Sequence, residues 1–368
     1  MVGTYDFSAI GMNNYKKMSL KEMLNHLEGN PEMGIPQPTI VDKRVDTRLL
    51  KAIPTEKTVE LNIPEVGQYP LNAWAHSQMS EKTRIPKPYY DRMMETGRNE
   101  LLADNINSWL PEKDERMIRI LNGEVRAILS SKYRIIDNVN VLRCTMETLV
   151  EGYKHLEPKF QECWLGDTRM YLKIALMGLN GEARPEDKYH FGMIVTNSEV
   201  GAGMLKLEPY MIRQICTNGM IRQKLLSKIH IGSANTDIEV SAGTRLLQDS
   251  ALYGELRDAI NTMLNEGGKG FAKWLNDLEM TTQVQIDKPV DAVGSIVSRY
   301  KISESNAKLI EDYFMKEQDC TQYGLIQGIT RAAQDFADLD ERIRMEGLAG
   351  ELSELDGKAF TRMIKVVA

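Results

Sequence analysis

Between residues 116 and about 207 the apolar residues of this chain recur at every second position; after Glu208 they recur at helical spacing. A period of two turns one face of a strand toward a core, and a period near 3.6 does the same for a helix. The chain therefore writes strands with a few helices between them, then helices, instead of strict alternation. That order predicts an α+β fold: an antiparallel sheet with packed helices in the middle, an irregular N-terminal arm and a helical C-terminal region. It divides the 368 residues into an arm with helices (1–115), a mixed α+β core (116–230) and a helical region (231–368).

The arm carries six prolines from Pro31 to Pro70 and one well-signalled helix over 19–28. Ser19 suits an N-cap, Glu22 completes a capping box and Gly29 follows as a stop. Residues 58–63 alternate like a short strand, and 87–110 read as one helix. Such an arm either wraps a neighbouring subunit or pads its own core. In the middle, strands over 124–129 and 133–136 are expected to form a hairpin around residues 130–132, and Asp137 to start a helix ending near Tyr153. A second hairpin is expected over 160–178, then strands over 189–198 and 203–207. Helices are expected over 209–221, 241–265 (stopped by Gly267 and Gly268), 271–279, 291–300, 304–318 and 321–345.

The second hairpin carries the most chemistry. Gly166 and Asp167 form a Gly-X turn of the two-residue type. That turn pairs Trp164 with Arg169, Glu162 with Tyr171 and Phe160 with Lys173. Alternation then places Cys163, Met170, Leu172, Ile174 and Leu176 on a core face, and Phe160, Glu162, Trp164, Arg169, Tyr171 and Lys173 on the opposite one. Rings interleaved with cations offer stacking platforms for bases and charges for phosphates. A solvated sheet face with cross-strand cation–π pairs has the same composition. Residues 116–230 hold 17 Lys plus Arg against 12 Asp plus Glu, while the whole chain carries a net charge of −6. The strand region is thus basic inside an acidic chain, and Arg213, Arg222, Lys224 and Lys228 extend it.

Other chemistries leave little trace. Cys144, Cys163, Cys216 and Cys320 include no C-x-x-C pair, and the five histidines form no H-x-x-x-H pattern, so neither a metal nor any cofactor is expected. The thiols read as reduced and buried, which fits a cytoplasmic protein. A phosphate-binding glycine loop, a dinucleotide fingerprint and a nucleophile elbow are missing from the sequence, and an enzyme is not expected. No apolar run is long enough to span a membrane.

Several segments together resemble a family of phage and plasmid-like proteins of unknown function, common in prophages. They are residues 129–138 (LSSKYRIIDN), 213–219 (RQICTNG) and 323–333 (YGLIQGITRAA), followed by Glu341, Arg342 and 348–350. The resemblance covers roughly 127–350. The strand–hairpin–helix order also looks like the core of single-strand annealing recombinases of the Rad fifty-two type. That likeness implies a ring-forming homo-oligomer with single-stranded DNA in a basic groove. It implies phosphate contacts from Arg126, Lys132, Arg134, Arg169 and Lys173, and stacking from Tyr133, Trp164 and Tyr171. The expectation is a phage-type, non-catalytic single-stranded DNA binder. The alternative is a phage interaction protein that engages a host or phage partner without nucleic acid, suggested by 12 acidic against 7 basic residues over 311–368.

Overall fold

The computed structural model describes residues 14–110, 114–214, 219–222, 226–228 and 242–365. The protein is α+β, as its patterning predicts. It opens on β1 (Lys16–Met18) and α1 (Leu20–Glu28). The expected capping box is present: the Glu22 amide donates to Ser19, the Ser19 amide donates to the Glu22 carboxylate, and Gly29 leaves the helix at φ 77°. This part of the arm pads its own core. β1 pairs with a strand of the large sheet, and Met23 is buried in the main core.

Four short strands follow: β2 (Ile40–Asp46), β3 (Lys51–Pro54), β4 (Val59–Ile63) and β5 (Gly67–Pro70). Then come α2 (Ala73–Thr83), α3 (Lys87–Glu95) and α4 (Asn99–Trp109). The helix expected over 87–110 is two helices, because Gly97 takes a left-handed φ of 69° and turns the chain between them. β6 (Glu115–Leu121) and β7 (Glu124–Ser130) form a hairpin around Asn122 and Gly123, whose φ values are 52° and 82°. An Asn-Gly pair with both residues at positive φ is the preferred two-residue turn. It displaces the hairpin expected at 130–132. Residues 133–136 form no strand; the Tyr133 amide bonds back to the Ser130 carbonyl at 2.9 Å and the chain runs into α5 (Asn138–Gly152).

β2, β6 and β7 make one antiparallel sheet, and β3, β4 and β5 another. With α2–α4 they enclose a core that includes Leu61, Met79, Tyr90, Leu102, Ile118 and Val125. This core spans position 115, so the expected boundary there is not a break in packing.

The large sheet is built from β8 (Pro158–Leu165), β9 (Met170–Arg184), β10 (Asp187–Asn197), β11 (Leu205–Arg213), β12 (Gly219–Ile221) and β13 (Leu226–Lys228). Its seven strands run β1-β8-β9-β10-β11-β12, with β13 also on β11. The helix expected over 209–221 is a correction: residues 206–213 pair with β10, 219–221 form β12, and 215–218 lie outside the described residues. Leu205, Leu207 and Met211 enter the main core. Tertiary pairing with a long neighbour overrides the helix-start signal of Pro209.

α6 (Ala242–Met280) is 39 residues long and passes straight through Gly267 and Gly268. Gly267 lies against the Phe191 ring, and Phe271, Trp274 and Leu278 are buried beyond it. Burying those side chains outweighs the roughly 1 kcal/mol that each helical glycine costs. α7 (Pro289–Tyr300), α8 (Glu304–Glu317), α9 (Gln322–Ala333), α10 (Leu339–Glu354) and α11 (Gly357–Ile364) complete the chain. The single helix expected over 321–345 is α9 and the start of α10. One continuous apolar cluster runs from the sheet face of Cys163, Met170, Leu172, Ile174 and Leu176 to Phe360 in α11. Sheet and C-terminal helices share a core, so position 230 does not divide it.

Candidate nucleic-acid interface

The second hairpin forms, but in a register shifted by two. Trp164 faces Tyr171, Glu162 faces Lys173 and Leu165 faces Met170, with Gly166–Arg169 as a four-residue loop closed by a Gly166 amide to Arg169 carbonyl bond of 2.9 Å. A shift of two keeps every side chain on its face; a shift of one would invert them. Only Phe160 changes sides, because a bulge between Phe160 and Glu162 turns it toward the main core.

The expectation that this aromatic and cationic face meets water is corrected. The first turns of α10 lie on it. Asp340 accepts from Tyr171 and from Tyr15 (3.0 Å) and pairs with Arg169 at 2.9 Å. Both Glu346 oxygens accept from the Lys173 ammonium at 2.7 Å, and neither Lys173 nor Glu346 is exposed. Arg342 reaches Glu162 at 2.7 Å and Glu346 at 3.3 Å. Lys17 bonds Glu162 at 2.6 Å and sits 5.5 Å from the half-buried Trp164 ring. Tyr171, Ala175, Ile194 and Tyr210 form an apolar cluster with Leu339 around these charges. Buried charges persist where they are paired and hydrogen-bonded. Burial pushes the Lys173 pKa down while Glu346 opposes it. Burial also pushes Glu162 up, but Lys173, Arg342 and Lys17 outweigh it and hold the carboxyl at about 2. Trp164, Arg169, Tyr171 and Lys173 are thus an internal seam between sheet and helix.

Arg126 and Tyr133 are also engaged inside the chain. Arg126 pairs with Glu199 at 2.8 Å, and the Tyr133 hydroxyl donates to the Ser198 carbonyl at 3.1 Å. They belong to a clasp that joins the small β2-β6-β7 sheet to the loop after β10. Its centre is Arg119, 1% exposed between Ile118 and Ile120. Its Nε donates to Asp42 (2.7 Å), one Nη to the Glu199 carbonyl (3.0 Å) and the other to Asp137 (2.9 Å). The remaining Glu199 oxygen accepts from the Asn138 amide at 2.6 Å, and Asn197 donates to the Ile136 carbonyl at 2.8 Å. The segment 129–138 singled out in the sequence is one side of this clasp.

Lys132 and Arg134 have a different setting. Lys132 is exposed, and the half-buried Arg134 donates to the Gln248 carbonyl near the start of α6. A groove of about 540 Å³ opens between α5 and α6, lined among others by Asp42, Ile135, Asp137, Asn140, Arg143, Glu147, Tyr253 and Arg257. Arg143 and Arg257 are exposed; Arg143 holds Glu28 at 2.7 Å, a surface pair that opens at little cost. Cys144 also lines the groove, donates to the Tyr253 carbonyl at 3.4 Å and has its thiol pKa raised by burial, which marks a packed thiol and not a nucleophile. A second cavity of about 420 Å³ lies beside Arg84 and Lys87, where Lys87 is already paired with Asp91.

Sequence reasoning missed Arg119, Asp42, Asn140, Arg143, Tyr253 and Arg257. One signal was legible: an arginine inside the apolar run 117–121 must find carboxylates when that strand is buried. The groove itself joins residues more than a hundred positions apart and has no local signature. Among the described residues no three His, Cys, Asp or Glu side chains converge as metal ligands, and no helix is long and apolar enough to cross a membrane. Comparison with protein-family models, with curated proteins and with solved structures finds no match for this chain.

Proposed function

We propose that this protein is a non-catalytic binder of single-stranded DNA that takes the strand at the α5–α6 groove. The observation that carries the reading is that exposed Arg143 and Arg257 line a cavity of about 540 Å³, while Arg134 reaches the Gln248 carbonyl two residues before Ser250 of its lining. That volume lies within the roughly 300–1,000 Å³ of ligand pockets. Of the three carboxylates in the lining, Asp42 and Asp137 are held by Arg119 at 2.7 and 2.9 Å, and Glu147 lies beside Arg143. Tyr253 supplies the only ring among the groove-lining residues.

Anisotropy of a labelled oligonucleotide of about 12 nucleotides tests this. Three to four phosphate contacts give a log–log salt slope of about −2 to −3 for a single strand. Arg143→Ala and Arg257→Ala weaken binding and flatten the slope, while Trp164→Phe, in the internal seam, leaves both unchanged. Absence of binding at about 50 mM salt refutes the proposal. So does binding that Trp164→Phe removes and the two arginine variants retain. Annealing requires several chains along one strand, and a complex with the mass of one chain in light scattering refutes that part.

A further inference from the structure

We infer that the groove selects bases that carry hydrogen-bond donors on their Watson–Crick edge, guanine first, and disfavours thymine. This rests on the proposed function and specifies the ligand of the same groove. Donors and acceptors along one wall of the groove set what it can take. Arg119 is the cation behind Asp42 and Asp137, and it is 1% exposed. Its Nε–H points to Asp42, one Nη–H to the Glu199 carbonyl, and the other Nη divides its hydrogens between Asp137 (2.9 Å) and the second Asp42 oxygen (3.4 Å). The guanidinium is turned inward and spent on these acceptors. The groove therefore meets the outer lone pairs of Asp42 and Asp137 and the amide of Asn140, which both donates and accepts, and a third carboxylate, exposed Glu147, lies beside Arg143.

A base that enters such a wall is sorted by its edge. Guanine presents N1–H and the N2 amino group side by side, a pair of donors that matches a carboxylate. Cytosine and adenine each present one amino group beside ring acceptors. Thymine presents a single N3–H flanked by two carbonyl oxygens, and those oxygens meet the carboxylate lone pairs. Arg143 and Arg257 are exposed and open to phosphate, whereas the Arg119 guanidinium is closed to solvent and leaves only its partners Asp42 and Asp137 open to a base. The carboxylates are anionic acceptors, which make the stronger class of hydrogen bond.

The test compares, by competition anisotropy, oligothymidylate of about 12 nucleotides with the same strand carrying two central guanines, and with cytidine and adenine strands of equal length. The guanine-bearing strand is expected to bind about tenfold more tightly than oligothymidylate, with the cytidine and adenine strands between them. Asp42→Asn, which retains an acceptor for Arg119 but adds a donor to the wall, is expected to reduce that ratio to about threefold or less. Equal affinity of all four strands for the unaltered protein overturns the inference and leaves the binding proposal standing. A preference for oligothymidylate also overturns it. Failure of every strand to bind overturns the proposed function and this inference with it.

Discussion

The Lys173→Met variant probes the seam between sheet and α10. Lys173 and Glu346 are both unexposed and share two bonds of 2.7 Å. Removing the ammonium leaves Glu346 buried with Arg342 at 3.3 Å and a Gln334 amide at 3.2 Å as its remaining partners. Breaking one side of a buried pair costs about 3–5 kcal/mol. The retained Arg342 contact puts this site toward the lower end, at about 3 kcal/mol. The double variant Lys173→Met/Glu346→Leu removes both charges and fills the space with apolar atoms, so it recovers to within about 1 kcal/mol of the parent. Glu162 keeps Arg342 at 2.7 Å and Lys17 at 2.6 Å throughout. Urea unfolding of the four proteins of the cycle reads the coupling directly. A solvated lysine would cost about 0.5 kcal/mol or less and show no coupling to Glu346. That result would refute the placement of α10 on the ribbon.

Two further predictions concern packing and pH. Gly350 in α10 faces the Ile221 carbonyl oxygen, which an added methyl would overlap, whereas Gly347 in the same helix has open space around its Cα. Gly350→Ala is expected to lower stability by about 2–3 kcal/mol and Gly347→Ala to raise it by about 0.5–1 kcal/mol, both read by chemical denaturation. His76 is buried with Nδ1 at 2.8 Å from the Tyr90 hydroxyl, and burial, with a smaller push from Lys87, lowers its pKa from 6.5 to about 3. The unfolded chain therefore binds a proton below pH 6.5 that the folded chain refuses. The stability tied to this residue is whole above that pH and falls by up to about 1.4 kcal/mol per pH unit toward the folded pKa. His76→Gln is expected to flatten the stability profile between pH 6.5 and 5; an unchanged slope sinks the assignment.

Sequence patterning resolved the elements whose signals are local. The capping box at Ser19 and Glu22, the α5 start at Asp137 and the core face from Cys163 to Leu176 are all set by near neighbours, and all are present. The errors lie where distant chain decides. Pro209 opens no helix because β10 pairs with its segment, and α6 crosses two glycines because Phe271, Trp274 and Leu278 are buried beyond them, with Gly267 itself packed against Phe191. The ribbon shows the same limit for function. Alternation assigned Glu162, Trp164, Tyr171 and Lys173 to one face, and they share it. Alternation does not say what lies on that face. The answer was 170 residues downstream, in Asp340, Arg342 and Glu346, whose charges complement the ribbon. A cationic and aromatic strand face is solvent-facing only if no acidic helix later in the chain claims it.

Mapping where DNA touches the chain decides between groove and ribbon most directly. A photo-reactive single-stranded oligonucleotide is cross-linked to the full chain, and the modified peptides are located by mass spectrometry. Adducts are expected within residues 132–147 and 250–257, on the two sides of the α5–α6 groove. Adducts concentrated within residues 160–173, beneath α10, would contradict the account.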